Sequence, residues 1–165
     1  MIVLGVDPGT IRTGWGVVRR AGPRLIGVAA GVIHANEDDE LPLRLRTIHD
    51  GLQAVIAEHA PDCMAVEDVF SKHVRSALTL GHARGVVLLC GALAQLELAS
   101  YSPAVVKRSV AGRGQAPKEQ LGRVVCAMLG MRVLAAPDAT DALAVAITHA
   151  NALLARRVPR FASRR

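Results

Sequence analysis

Apolar residues fall in short unbroken runs early in the chain and at helical spacing later. Residues 2–6 form such a run, cut off by Asp7-Pro8-Gly9, which marks a buried strand that stops at a turn. Residues 14–18 and 25–33, with Gly22-Pro23 between them, read as an antiparallel hairpin. From Leu41 the positions Leu45, Ile48, Leu52, Val55 and Ile56 keep helical spacing until Pro61, and residues 63–66 repeat the buried-strand pattern, this time ending on Glu67. A mostly apolar helical pattern covers residues 76–98 and a short strand candidate covers 98–101. Pro103, Pro117 and Asp138 each open a further helix.

Three strands followed by helix, strand, helix, strand and several helices predict an α/β sandwich around a mixed sheet whose opening hairpin is antiparallel. In such sheets, sites gather at the carboxyl ends of neighbouring strands. Asp7 and Glu67 both stand at ends of that kind, so their carboxylates are neighbours if their strands are adjacent. The 165 residues suit one domain, placed at residues 1–156, with a basic tail at 157–165. No internal repeat or low-complexity linker interrupts it.

Composition adds a partner class. Twenty Lys and Arg against fourteen Asp and Glu give a net charge of +6, which favours polyanions through counterion release, although a merely soluble basic protein would carry the same charge. Part of the excess sits in Arg156, Arg157, Arg160, Arg164 and Arg165, a pattern more typical of a solvated arm than of a site. Cys63, Cys90 and Cys126 are widely spaced inside apolar segments with no CxxC pairing, so they read as buried, reduced thiols. The first residues lack the long apolar stretch of a signal peptide, and no run is expected to reach a membrane span. A cytoplasmic location is expected.

Asp138 and Asp141 stand three apart at the start of the last helix and project from one face. With Asp7 and Glu67 they make four acids from three segments. Like charges gathered in one place raise one another's pKa, so the arrangement is costly unless cations occupy it. Hard oxygen ligands with open positions suit Mg²⁺ or Mn²⁺, and two ions roughly 4 Å apart could activate water and stabilise the leaving oxygen of a phosphodiester. Each acid also has a local explanation. Asp7 before Pro8-Gly9 suits a turn, Asp138 after Pro137 suits an N-cap, and Asp141 at N3 gains from the positive helix end. Glu67 has no local requirement.

Several motifs together resemble the RuvC family of Holliday-junction resolvases, within the ribonuclease H-like superfamily. They are Gly5-Val6-Asp7-Pro8-Gly9-Thr10 with Thr13-Gly14-Trp15-Gly16, Ala65-Val66-Glu67-Asp68-Val69-Phe70, and Ala83-Arg84-Gly85-Val86. Val106-Lys107, Gly112-Arg113-Gly114 with Lys118-Glu119, and residues 138–146 with Thr148-His149 complete the set. The resemblance implies a ribonuclease H-like fold, a five-stranded mixed sheet flanked by helices on both sides. It places Asp7, Glu67, Asp138 and Asp141 on the family's catalytic and metal-binding carboxylates, with Mg²⁺ as cofactor, two ions per site, and Mn²⁺ as a substitute. The implied activity is symmetric paired nicking of a four-way DNA junction in recombination and repair.

A junction has approximate two-fold symmetry, so a homodimer with two active sites is the economical solution. Ala77, Gly81 and Gly85, four apart, could pack against a twin helix or against the chain's own sheet. The resemblance further implies DNA contacts at Phe70, Lys72, Arg75, Lys107, Arg113 and Lys118, and cooperation with RuvA and RuvB. Phe70 matches an aromatic that stacks on an unpaired base, although burial is the commoner fate of a Phe. His73 stands where the family pattern has an Asn, which weakens the carry-over of sequence preference. Lys107 and Lys118 match basic positions near the scissile phosphate, and glycines 112 and 114 would let backbone N–H groups approach phosphate.

Three rivals share parts of this pattern. An ATP-binding protein of the actin and sugar-kinase superfold has a similar first hairpin but needs two such domains, and no GxxxxGK[ST] loop is present. A noncatalytic junction binder would keep the basic face, yet all four acids are here. A related RNA-processing nuclease would carry a similar acid set.

Overall fold

The computed structural model of the chain describes residues 1–68, 74–112, 118–132 and 136–157. Its elements in chain order are β1 (Ile2–Asp7), β2 (Arg12–Ala21), β3 (Arg24–His34), α1 (Leu41–His59), β4 (Cys63–Glu67), α2 (Val74–Leu93), β5 (Glu97–Tyr101), α3 (Pro103–Ala111), α4 (Lys118–Leu129) and α5 (Pro137–Arg157). The sheet has five strands in the order β3-β2-β1-β4-β5. β1 pairs antiparallel with β2 and parallel with β4, and β4 pairs parallel with β5, so the sheet is mixed as expected.

β1 is central and covered on both faces, which explains its continuous apolar run. On one face Leu4, Val6, Met64 and Val66 pack against Ile48 and Leu52 of α1 and Ala83 and Val87 of α2. On the other, Val3, Cys63 and Ala65 pack against α3, α4 and α5 through Val106, Leu121 and Leu143. The two cores follow from strand alternation, which sends odd-numbered and even-numbered residues of β1 to opposite sides.

Element ends differ from the sequence expectation where the stopping signal is not local. The helix expected over residues 76–98 runs over Val74–Leu93 instead. It stops because Gln95 adopts a left-handed conformation (φ 57°), and Leu96 N–H donates to the Gly91 carbonyl at 3.0 Å, closing a Schellman-type end. Leu96 and Leu98 continue the apolar pattern past that turn, which hides it from the sequence. The hairpin strands are also longer than expected, leaving Gly22-Pro23 as the whole connection, with Gly22 at φ 60°.

Three smaller expectations need correction. Cys126 is only half-buried, whereas Cys63 and Cys90 are buried. Twenty-residue α2, with a mean hydropathy of 1.4 over an 18-residue window, is long and apolar enough to cross a membrane by length and composition, contrary to the expectation of no such run. Helix α5 continues to Arg157, one residue into the range assigned to the tail.

Candidate metal and nucleic-acid site

The acid site starts from strand register. Val6 of β1 pairs with Val66 of the parallel strand β4, so Asp7 and Glu67 follow at matching positions at the carboxyl ends of adjacent strands. Both share the sheet face of Val3, Gly5, Cys63 and Ala65, the face covered by α3, α4 and α5. The adjacency left open by the sequence is therefore met. Just beyond Asp7, buried Thr13 donates its Oγ1 hydrogen to the Gly9 carbonyl at 2.7 Å, closing the turn that ends β1.

Helix α5 reaches this strand end because glycines of the sheet lie beneath its first turns. Gly5 pairs with Gly16 and Asp7 with Gly14 across β1 and β2. A Cβ at Gly5 would collide with the Ala142 carbonyl, one at Gly14 with the Asp138 carbonyl, and one at Gly16 with the Leu143 side chain and backbone. These glycines let the first turns of α5 lie directly on the sheet, which carries Asp138 and Asp141 to the level of Asp7 and Glu67. The sequence reading quoted all three glycines within motifs but missed this role. Their signal was glycine at alternate positions in a strand pattern, which marks close approach of another backbone.

Asp138 is not the N-cap it resembled. Helix α5 begins at Pro137, and Thr140 N–H donates to the Ala136 carbonyl at 2.8 Å, so Ala136 caps the helix and Asp138 lies inside its first turn. The local reason for an acid at 138 is thereby weakened. An Asp138 carboxylate oxygen lies 3.9 Å from the Arg12 guanidinium at the start of β2. Sequence reasoning did not single out Arg12, whose approach to the site depends on the β2–α5 contact.

The electrostatics show how crowded the acids are. The Glu67 carboxyl is pushed up to about 8, by burial first, then by the charges of Asp7 and Asp141 and by a hydrogen bond with the Asp7 carboxyl. Lys107 of α3 pulls in the opposite direction. Glu67, Lys107 and Asp141 line one cleft of about 200 Å³ with Pro103, Val106 and Leu121. That is smaller than the roughly 300–1,000 Å³ of a small-molecule pocket and suits a phosphate group better than a whole nucleotide.

Among the described residues, no three acids already converge as a metal cage. Asp7 and Glu67 instead share a hydrogen bond, and Asp138 faces Arg12. The donor set still fits a hard divalent cation: all are carboxylate oxygens, and a Glu67 that keeps its proton near neutral pH has lost ionisation energy that a cation restores.

The expected DNA-contact residues are placed unequally. Lys107 is half-buried at the acids, and Arg75 is exposed in the first turn of α2. Lys118 is the first residue of α4, with its side chain outside the described atoms, and Phe70, Lys72 and Arg113 lie outside the described residues.

The chain and its fold have counterparts among known proteins. The family described as "Crossover junction endodeoxyribonuclease RuvC" matches residues 3–149. Among proteins of that name, the one from Geobacter sulfurreducens is 45% identical over 161 residues, covering 97% of this chain and 98% of that protein. The one from Sorangium cellulosum is 49% identical over 153 residues, covering 92% and 86%. The solved structure of T. thermophilus RuvC in complex with a Holliday junction substrate superposes with a TM-score of 0.86 at 31% identity, covering 94% of this chain and 96% of that one. With the five-stranded mixed sheet and acid-bearing strand ends already in place, this chain belongs to the RuvC family of crossover junction endodeoxyribonucleases.

Proposed function

We propose that the chain resolves four-way DNA junctions by symmetric paired hydrolysis of phosphodiesters, with Asp7, Glu67, Asp138 and Asp141 as its metal-binding and catalytic acids. The observation that carries this reading is the half-buried Asp7–Glu67 carboxyl pair, placed beside Asp141 and Lys107 at the carboxyl ends of two parallel strands. Residues 1–156 act as the nuclease domain. Membership in a family of metal-dependent nucleases supports a metal cofactor, and Mg²⁺ is the ion proposed for these acids, two per site, with Mn²⁺ as a substitute. Ions held by Asp7, Glu67, Asp138 and Asp141 would supply water activation and stabilisation of the leaving oxygen.

The protein's own contributions follow from position. Asp7 and Glu67 offer oxygens from a rigid sheet, while Asp138 and Asp141 close the site from α5. Lys107, beside Glu67, holds a nonbridging phosphate oxygen and offsets charge developing in the transition state. Arg75, Arg113, Lys118 and Lys72 meet flanking phosphates, and Phe70 stacks on a base at the junction centre.

The junction's symmetry calls for two such sites, and α2 supplies a surface for pairing. Val74, Leu78, Leu89 and Leu93 are exposed, and Cβ atoms added at Gly81 or Gly85 would meet open space. Packing against the chain's own sheet therefore does not account for these two glycines, and a second copy covering the stripe does. The dimer works in the cytoplasm, beside the chromosome, with RuvA and RuvB.

The test uses a synthetic four-way junction end-labelled on every strand. Nicks paired across the two-fold axis and dependent on Mg²⁺ are expected. Equal cutting of plain duplex, cutting of structured RNA in preference to the junction, or unpaired nicks would overturn the reading.

A further inference from the structure

The motif Ala83-Arg84-Gly85 has a division of labour that the acid site alone does not use. Ala83 is fully buried against the sheet, and Gly85 faces the open side of α2. Between them Arg84 reaches to the strand ends, where its Nη2 donates to Asp68 Oδ1 and to Ser100 Oγ, both at 2.8 Å. Asp68 is the residue immediately after Glu67. Its backbone N–H donates to the Tyr101 carbonyl at 2.8 Å, so it is held through its main chain by β5 and through its side chain by α2.

How Asp68 is held bears on the backbone direction at Glu67, and hence on the aim of its carboxyl toward Asp7. Arg84 thus ties α2 to the residue that follows Glu67. Nη2 carries two hydrogens in the guanidinium plane and donates one to the carboxylate and one to the hydroxyl, a planar arrangement that the tetrahedral ammonium of a lysine does not reproduce.

We propose that Arg84 is a positioning residue of the nuclease site, acting through Asp68 to aim Glu67. The proposal rests on the reading of Glu67 as a metal ligand. Partners that orient a metal ligand from behind, when removed, cost about 10- to 100-fold in metal affinity or activity.

The experiment compares the full-length protein with Arg84→Lys, Arg84→Gln, Asp68→Asn and the double variant Asp68→Asn/Arg84→Gln. Mn²⁺ binding is measured without DNA by electron paramagnetic resonance, alongside junction affinity in Ca²⁺, single-turnover cleavage and thermal stability. Arg84→Gln and Asp68→Asn are expected to weaken Mn²⁺ binding and slow cleavage by about 10-fold or more. Junction affinity should hold, Arg84→Lys should recover part of the loss, and the double variant should be no worse than the worse single variant. An ion pair serving the fold alone would lower thermal stability while leaving Mn²⁺ affinity and the cleavage rate of folded protein unchanged. That result, additive losses in the double variant, or a loss confined to junction affinity would each overturn the proposal. Asp68, nearly half exposed, keeps the test open if the Arg84 variants do not fold. Glu67→Gln run in parallel separates the two readings, since wild-type behaviour of that variant would defeat Glu67 as a ligand, independently of Arg84.

Discussion

At the scale of single residues, the carboxyl of Glu67 holds its proton because its strand ends among other acids in a half-buried place. In the unfolded chain it would ionise at its ordinary value of 4.5, and in the folded chain at about 8. Between those values the folded chain retains a proton that the unfolded chain has released, so folding stability falls as pH rises through the window. Below 4.5 both states are protonated and this contribution costs nothing. Metal-free protein should therefore lose thermal stability from about pH 5 to 8, and Glu67→Gln, which cannot ionise, should lose less. Mg²⁺ should flatten the wild-type curve at the upper end, and the same variant should cut no junction while still binding it. Melting curves across this range, with and without Mg²⁺, check the stability claim. Parallel curves for the two proteins would show that Glu67 is not under this strain.

At the scale of elements, the site depends on how closely α5 lies on the sheet, and Gly14 is the tightest point of that contact. A methyl group there meets the Asp138 carbonyl, part of the backbone that carries two of the acids, so the helix must move away. Overpacking of this kind costs about 1–3 kcal/mol, and displacing a catalytic group by roughly 1 Å can cost ~100-fold in rate. Gly14→Ala should thus slow junction cleavage far more than it lowers the melting temperature. A variant with wild-type rate would mean that the sheet tolerates a side chain at this point. This contact also marks the limit of what the sequence discloses. The strands ending at Asp7 and Glu67 are legible because an apolar run and its stop are local, whereas the glycines under α5 have meaning only once β1, β2 and α5 are stacked. The same holds for Asp138 and Asp141. Turn, cap and metal chemistry use the same residue types; the register of β1 with β4 brings Asp7 beside Glu67, and the start of α5 at Pro137 takes the N-cap role from Asp138. Lys107 was legible as a lysine on a helix and through the family pattern; its influence on Glu67 required the fold.

At the scale of the whole molecule, a chain of net charge +6 carries a proposed site of four acids, so on that proposal most of the attraction to DNA comes from residues other than the acids. Binding can then survive the loss of one acid, which makes a mixed dimer informative. Wild-type and Asp7→Asn chains bearing different tags can be co-expressed and the doubly tagged dimer isolated. On the proposed assembly its α2 interface and cationic surface would be intact, while only one of its two acid sites would be complete. On a supercoiled plasmid that extrudes a cruciform, the wild-type dimer should nick both opposed strands and give linear DNA. The mixed dimer should stop at a nicked circle, and the doubly substituted dimer should bind the cruciform without cutting it. Linear product from the mixed dimer at the wild-type rate would mean that one site makes both cuts, and the two-fold match between protein and junction would have to be abandoned. A nicked circle from the mixed dimer, with singly tagged wild-type protein still giving linear DNA, ties each incision to its own set of acids.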